Sequence, residues 1–306
     1  HDIDIYAESL AHTYRLAAID AIEEQSHSSL KNEAGRENIH NQVTNQLQSN
    51  GFAIIKGFLP KSNIELLLHE AKSLNITHDP KNVGNKKTNR AFSRGEIRNI
   101  SNSAQNKNLK GIHSLIHDLS IMSHMFKFIG LQNYLFYDAY IRATKTAFYQ
   151  ILESDNSYSD DPQSQLHMDS YFHAYKFWLL LTDVTEQTYH TEVCRKSHIL
   201  SNERLIYESE LSRQIFRDIK LIKDHGTRNF AFRLHENEMI KSGFNVNKTE
   251  KLLAPAGSLL ILNTRCFHRR SNSGFLPRYA IHFELRPRFP LSPLFKFSHK
   301  NIRYIV

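Results

Sequence analysis

The sequence has too few cysteines for a disulfide scaffold or a thiolate metal site, and no run apolar enough for a membrane span. Only two of its 306 residues are cysteine, Cys194 and Cys266, which excludes a disulfide framework and a thiolate metal site. The longest apolar run, Phe177 to Leu181, falls far short of the roughly 20 residues that span a bilayer. No basic segment followed by an apolar core opens the chain, so we expect no uncleaved secretory signal. These absences predict a protein of the reducing cytoplasm.

The composition is otherwise ordinary. Hydrophobic residues make up 40% and charged residues 23%, which excludes disorder as the main state. No glycine-rich phosphate loop and no internal repeat is present. Lysine and arginine number 39 against 31 acidic residues, a net charge of +8 with 18 histidines besides. This balance favours anionic partners: phosphorylated or carboxylated small molecules, nucleic acid or an acidic membrane surface.

Residues 1–130 are predicted to form a mainly helical N-terminal part. Apolar residues recur at helical spacing in residues 2–30, 38–49, 62–74 and 109–129. The stretch from Gly51 to Leu59, closed by Pro60, predicts a short strand. Residues 75–106 form a basic loop without periodicity, with six basic and two acidic side chains. A segment of this kind is typically either functional, for example as a lid over a ligand, or disordered.

Residues 131–290 are predicted to form a β-sandwich or barrel, specifically a jelly-roll catalytic core. Short aromatic and β-branched runs alternate with polar connectors, at residues 134–152, 175–181, 258–264 and 279–285. We expect an insertion around 186–250, rich in helix near 200–225, and a C-terminal tail at 291–306. The fold class is therefore mostly β with α additions in a single domain, 1–306.

The chemistry-bearing pattern begins with Gln165-Leu-His167-Met-Asp169, just before a strand. Residues i and i+2 of a strand project to one side, so His167 and Asp169 share a space. A turn and strand over 256–264 precede His268, which could supply a third ligand. Two histidines and one carboxylate on one face leave open positions that suit non-haem Fe(II) and O2 chemistry. Ten residues later Arg278 carries a guanidinium fork suited to a carboxylate.

These features in this order resemble the Fe(II)- and 2-oxoglutarate-dependent dioxygenases, and specifically the phytanoyl-CoA dioxygenase family. Three segments carry the resemblance: Asn50-Gly-Phe-Ala-Ile-Ile-Lys-Gly-Phe-Leu-Pro60, Lys176-Phe-Trp-Leu-Leu-Leu-Thr-Asp-Val184 and Ala256-Gly-Ser-Leu-Leu-Ile-Leu-Asn-Thr-Arg-Cys-Phe-His268. The resemblance spans about residues 40–286. It implies a double-stranded β-helix (cupin-like) core.

By position, the resemblance implies that His167, Asp169 and His268 hold Fe(II) and that Arg278 binds the distal carboxylate of 2-oxoglutarate. The reaction it implies consumes O2, oxidises a substrate C–H bond and releases succinate and CO2. Residues 185–198 depart from the family pattern, which commonly has an Asn-Gly-Pro-like turn and Pro-Gly-Ser-His; only Ser197-His198 remains. That stretch borders the family's substrate pocket, so the substrate is not implied.

The substrate is predicted to be a small anionic molecule because Arg269 and Arg270 directly follow His268 and Arg265 precedes it. Candidates are an acyl-CoA or carrier-bound acyl group, a sugar acid or phosphosugar, a phosphonate, an acidic lipid head group or a secondary-metabolite intermediate. Hydroxylation, desaturation, ring closure and epimerisation all stay open as outcomes.

Three alternatives remain. A halogenase needs a small residue in place of Asp169. A catalytically silent jelly-roll binding protein would not need the four polar residues. A protein or nucleic-acid hydroxylase of the same chemistry is compatible with the charge, although no clear nucleic-acid motif is present.

Overall fold

The computed structural model describes eleven stretches of the chain: residues 39–73, 110–117, 148–152, 162–169, 174–199, 201–207, 209, 232–233, 240, 248–271 and 274–285. Our predictions for residues 2–30, 75–106, 118–129 and 291–306 lie outside them. Among the described residues, no helix has the length and apolarity that crossing a bilayer requires.

Three helices of the described N-terminal part match the helical spacing of the sequence. They are α1 (Ile39–Asn50), α2 (Lys61–Lys72) and α3 (Lys110–His117, as far as the described residues reach). Helix α1 ends where predicted because Gly51 follows with a φ of 85°, a left-handed backbone conformation that glycine adopts at little cost.

Ten strands form two antiparallel five-stranded sheets, which confirms the mostly β prediction for the described residues. The strands are β1 (Phe52–Ile55), β2 (Phe148–Leu152), β3 (His167–Met168), β4 (Tyr175–Leu180), β5 (Thr191–Cys194), β6 (Phe232–Arg233), β7 (Thr249–Leu252), β8 (Leu259–Asn263), β9 (His268–Arg270) and β10 (Arg278–Leu285). The first sheet has the order β1-β8-β4-β10-β2, and the second has β6-β3-β9-β5-β7. From β2 to β5 and from β7 to β10, successive strands alternate between the two sheets.

The two faces of the first sheet bury different layers, as strand alternation requires. One face packs on the helices; its buried residues include Ala53, Ile55, Tyr149, Phe177, Leu179, Ile261 and Ile281, together with Val43, Leu67 and Ile112 of the helices. The other face packs on the second sheet, through Phe52, Trp178, Leu180, Leu260, Leu262 and Ala280 against Val193 and Leu252. Side chains on this inner face of either sheet therefore point into the space between the sheets.

A partly buried carboxylate joins the helices to the first sheet. Glu70 of α2 accepts hydrogen bonds from the backbone N–H groups of Gly111 (2.7 Å) and Ile112 (3.0 Å) at the start of α3. It also accepts one from the hydroxyl of Tyr149 on β2, at 2.7 Å. Burial, together with the Glu70 carboxylate, raises the pKa of Tyr149 above its usual range. This contact sets how the helical layer sits on the sheet.

Two strands of the second sheet lie wholly or partly within the predicted insertion at 186–250. Strand β5, Thr191–Cys194, lies inside the second sheet between β9 and β7, and β7 begins at Thr249. Among the described strands, β5 is thus an inner strand of the second sheet and β7 is its edge strand. Their alternation was hard to see because β5 is only four residues long and mixes polar with apolar side chains. Within the predicted helix-rich stretch, residues 202–207 are helical.

Candidate metal centre

Two histidines are brought together by the pairing of β3 with β9. His167 lies directly opposite His268 in the antiparallel register, and their ring centroids are 4.5 Å apart. His268 is also opposite Val193 of β5, which packs in the core between the sheets. Directly opposite residues share a face of a sheet. Both imidazoles therefore point into the space between the two sheets.

Asp169 completes the group one residue beyond the end of β3. Its backbone N–H donates to the carbonyl of Thr264 at 3.0 Å, which holds the turn against the loop after β8. Its Oδ1 lies 3.6 Å from Nε2 of His167, and its Oδ2 lies 3.4 Å from Nε2 of His268. The possible ligand atoms of all three side chains lie within 4.8 Å of one another.

Backbone carbonyls select the tautomer of both histidines. Nδ1 of His167 lies 2.7 Å from the carbonyl of Gln165, and Nδ1 of His268 lies 2.8 Å from the carbonyl of Cys266. A carbonyl oxygen only accepts hydrogen bonds, so each Nδ1 carries a hydrogen and each neutral ring has its lone pair on Nε2. Both Nε2 atoms face Asp169. This is the arrangement of metal-ligating histidines, whose second nitrogen typically donates to a carbonyl or carboxylate.

Asp169 is held as a carboxylate. Burial alone would raise its pKa, but the charge of Lys176, and after it the charges that His268 and His167 carry when protonated, outweigh burial and hold the pKa of Asp169 well below its usual range. Nζ of Lys176 lies 2.6 Å from Oδ2, with the two side chains only 16% and 13% exposed. An ionised carboxylate beside two imidazole lone pairs is a donor set for a divalent cation.

Arg278 lies in the same inter-sheet space at the start of β10. Arg278 is buried. It stands two residues before Ala280 and so shares its face of β10, and Ala280 packs in the inter-sheet core. Its Nη1 donates to the carbonyl of Tyr189 (2.8 Å) and its Nη2 to Oε1 of Gln150 (2.7 Å). The same amide oxygen accepts from Nε1 of Trp178 at 3.1 Å. These bonds fix the plane of the guanidinium.

The two arginines after His268 have different surroundings. Arg269 projects to the opposite face of β9, where its Nε donates to Glu192 at 2.8 Å. The pKa of Glu192 is lowered: partial burial opposes ionisation, but the bond and charge of Arg269 outweigh it. Arg270 is half-buried and shares the face of His268 by alternation. Arg265 is fully buried. The structure thus places Arg270, but not Arg269, on the side of the three candidate ligands.

A second His-x-carboxylate pair lies close by. Nδ1 of His190 lies 3.0 Å from the carbonyl oxygen of Thr188, and Nε2 of His190 lies 3.6 Å from Oε1 of Glu192. His167 has the same local geometry with Asp169. Glu192 is already bonded to Arg269 and to Thr249. Among the described residues, only the group of His167, Asp169 and His268 collects three ligands.

Sequence reasoning did not single out Lys176 or Gln150. Both are polar residues within apolar strands, Tyr175–Leu180 and Phe148–Leu152. A buried polar side chain in such a strand requires a polar partner, and that signal could have drawn attention to them.

No family model matches the sequence, and no curated protein matches it. The resemblance to the phytanoyl-CoA dioxygenase family therefore stays a prediction.

Several solved structures are similar to the chain. One is the non-haem alpha-ketoglutarate-dependent epimerase SnoN from nogalamycin biosynthesis, with 14% identity over 81% of this chain and 82% of that chain and a TM-score of 0.44. HygX from Streptomyces hygroscopicus with nickel and 2-oxoglutarate bound has 12% identity, coverage of 84% and 88%, and a TM-score of 0.45. A Trichoplax adhaerens prolyl hydroxylase bound to a hypoxia inducible factor peptide has 15% identity, coverage of 81% and 88%, and a TM-score of 0.44.

Proposed function

We propose that the chain is a non-haem Fe(II)- and 2-oxoglutarate-dependent dioxygenase with a double-stranded β-helix (jelly-roll) core. The alternation of strands between two antiparallel sheets supports this core. One observation carries the activity: His167, Asp169 and His268 place their ligand atoms within 4.8 Å, with both Nε2 lone pairs facing the carboxylate.

The donor set fits Fe(II). Two imidazole nitrogens and one carboxylate oxygen on one side leave positions open for further ligands, as in oxygen-activating non-haem iron sites. When bound, Fe(II) with 2-oxoglutarate and O2 supplies oxidation of a substrate C–H bond, with release of succinate and CO2. The residues of this chain hold the ligands in one tautomer, keep Asp169 ionised and shelter the site between two sheets.

Arg278 binds the distal carboxylate of 2-oxoglutarate in this proposal. Arg278 as a whole is only 3% exposed, so its charge interacts strongly with a carboxylate in the same space. The carbonyl of Tyr189 and the amide of Gln150 orient the fork before the carboxylate arrives. Such preorganisation lowers the cost of ordering on binding.

The substrate we propose is a small anionic metabolite that is hydroxylated. The net charge of +8 supports this class, as does half-buried Arg270 on the face of His268. Arg269 is engaged by Glu192, so of the two arginines predicted to meet the substrate we retain Arg270.

An anaerobic titration tests the metal and the co-substrate together. The wild-type protein with Fe(II) and 2-oxoglutarate should develop a visible metal-to-ligand charge-transfer band, and His167→Ala and His268→Ala should each abolish it. His190→Ala is the matched control, because His190 is equally buried and equally bonded to a carbonyl two residues earlier. It should keep the band.

Persistence of the band in both ligand variants, or its absence in the wild type, would contradict the proposal. The substrate class needs a separate experiment. A screen for succinate release across acyl-CoAs, sugar acids, phosphosugars, phosphonates and peptides would separate a metabolite hydroxylase from a protein hydroxylase. Release with none of them would favour a silent binding protein.

A further inference from the structure

Lys176 is a lysine held almost entirely inside the protein. It lies in β4 between Tyr175 and Phe177, and its side chain is 16% exposed. By alternation it shares a face with Trp178, which packs in the inter-sheet core. The side chain therefore projects into the space that holds the candidate ligands, and its Nζ reaches Oδ2 of Asp169 at 2.6 Å.

A lysine seldom enters such a space without a charge partner, because desolvation of the ammonium is costly. The partner here is the one carboxylate of the proposed metal centre. The same Oδ2 is 3.4 Å from Nε2 of His268. A cation bound between Asp169 and His268 would thus meet an oxygen that the ammonium already contacts.

We propose that Lys176 is a positioning residue that neutralises Asp169 in the metal-free protein and competes with the metal for this carboxylate. The proposal rests on the proposed function, since it assumes that Asp169 is a metal ligand. The ammonium lies 2.6 Å from Oδ2, so it holds the carboxylate in place and balances its charge before metal arrives. A bound metal would share this carboxylate with the ammonium, and repulsion between the two cations would weaken metal binding.

The direction of the expected effect separates this role from a supporting one. A hydrogen-bonded partner that merely orients a ligand typically strengthens metal binding, and its loss weakens affinity about 10–100-fold. Loss of a competing charge has the opposite sign. Lys176→Met keeps most of the apolar stem and removes the charge, so we expect Co(II) to bind about 10- to 100-fold more tightly, by repulsion between nearby charges in a partly buried site.

The test is a calorimetric titration of the full chain with Co(II) alone. Lys176→Arg keeps the charge and should stay near the wild-type Kd. Lys251→Met is the matched control, because Lys251 also pairs with a carboxylate, Glu186, at 2.9 Å, but on an exposed surface. It should leave the Kd unchanged.

Thermal unfolding gives a second measurement. Lys176→Met should lower the Tm of the metal-free protein, because Asp169 loses its counter-charge, and should increase the Tm gain on adding Co(II). If this variant does not fold, Lys176→Gln carries the same test with a neutral donor. An equal or weaker Co(II) affinity in the neutral variant would overturn the proposal for Lys176 while leaving the metal centre intact. Failure of the wild type to bind Co(II) would instead overturn the proposed function.

Discussion

Replacement of Arg278 by alanine should mainly raise the KM for 2-oxoglutarate. The guanidinium is buried and is held by the carbonyl of Tyr189 and the amide of Gln150. Without the guanidinium, the distal carboxylate of 2-oxoglutarate would be desolvated in the site and would lose the positive charge that Arg278 supplies. The cost of losing one member of a buried charge pair is about 2–4 kcal/mol. Since about 1.4 kcal/mol is tenfold, KM should rise about 30- to 700-fold.

Two further variants should raise the KM for 2-oxoglutarate by smaller factors than Arg278→Ala does. Arg278→Lys keeps the charge and loses the planar fork, so its KM should fall between those of the wild type and the alanine variant. Gln150→Ala removes the acceptor that orients the fork and should raise KM by a smaller factor, about tenfold, as expected for a hydrogen bond to a charged group. Neither residue is a proposed metal ligand. Fe(II) affinity should therefore stay unchanged in all three variants.

The assay is succinate release at varied 2-oxoglutarate, with kcat and KM determined separately. A rise in KM with little change in kcat indicates loss of co-substrate binding. Arg195→Ala is the control arginine, since its fork pairs with Glu250 at 2.6 Å on an exposed surface, and it should leave KM unchanged. Wild-type KM and kcat in Arg278→Ala would refute the reasoning and place the carboxylate anchor elsewhere.

Two predictions concern stability and the thiols. Glu70→Gln leaves a single acceptor oxygen for three donors, so the free energy of unfolding should fall by about 2–3 kcal/mol; an unchanged midpoint in urea would contradict the role of this carboxylate. Burial raises the pKa of Cys266 to about 12, and Cys194 is also buried. Iodoacetamide should therefore label neither thiol in the native protein at pH 7.5 and both in urea; rapid native labelling would show that burial does not protect them.

The sequence alone was enough to predict several of the elements and to indicate the candidate ligands. Helices α1 and α2 and strands β4, β8 and β10 match their predicted ranges closely, because hydrophobic spacing is a local property of each segment. The pair His167 and Asp169 was also predicted locally, from the period of two along a strand, although β3 ends at Met168 and Asp169 lies one residue beyond it. Alternation was also enough to place Arg269 on the face opposite His268, although the sequence reasoning assigned both arginines to the cleft.

Tertiary structure alone decided which strands are neighbours and in what register. His167 opposes His268 only because β3 pairs with β9, and Gln150 meets Arg278 only because β2 pairs with β10. Period-two alternation identifies residues that share a face, but not which face turns inward or what lies across from it. For that reason the sequence shows Lys176 only as a polar residue within an apolar strand, and does not show that its partner is Asp169. In the folded chain both side chains project into the space between the sheets, where Nζ of Lys176 contacts Asp169. Their attraction there offsets the cost of removing the two charges from water.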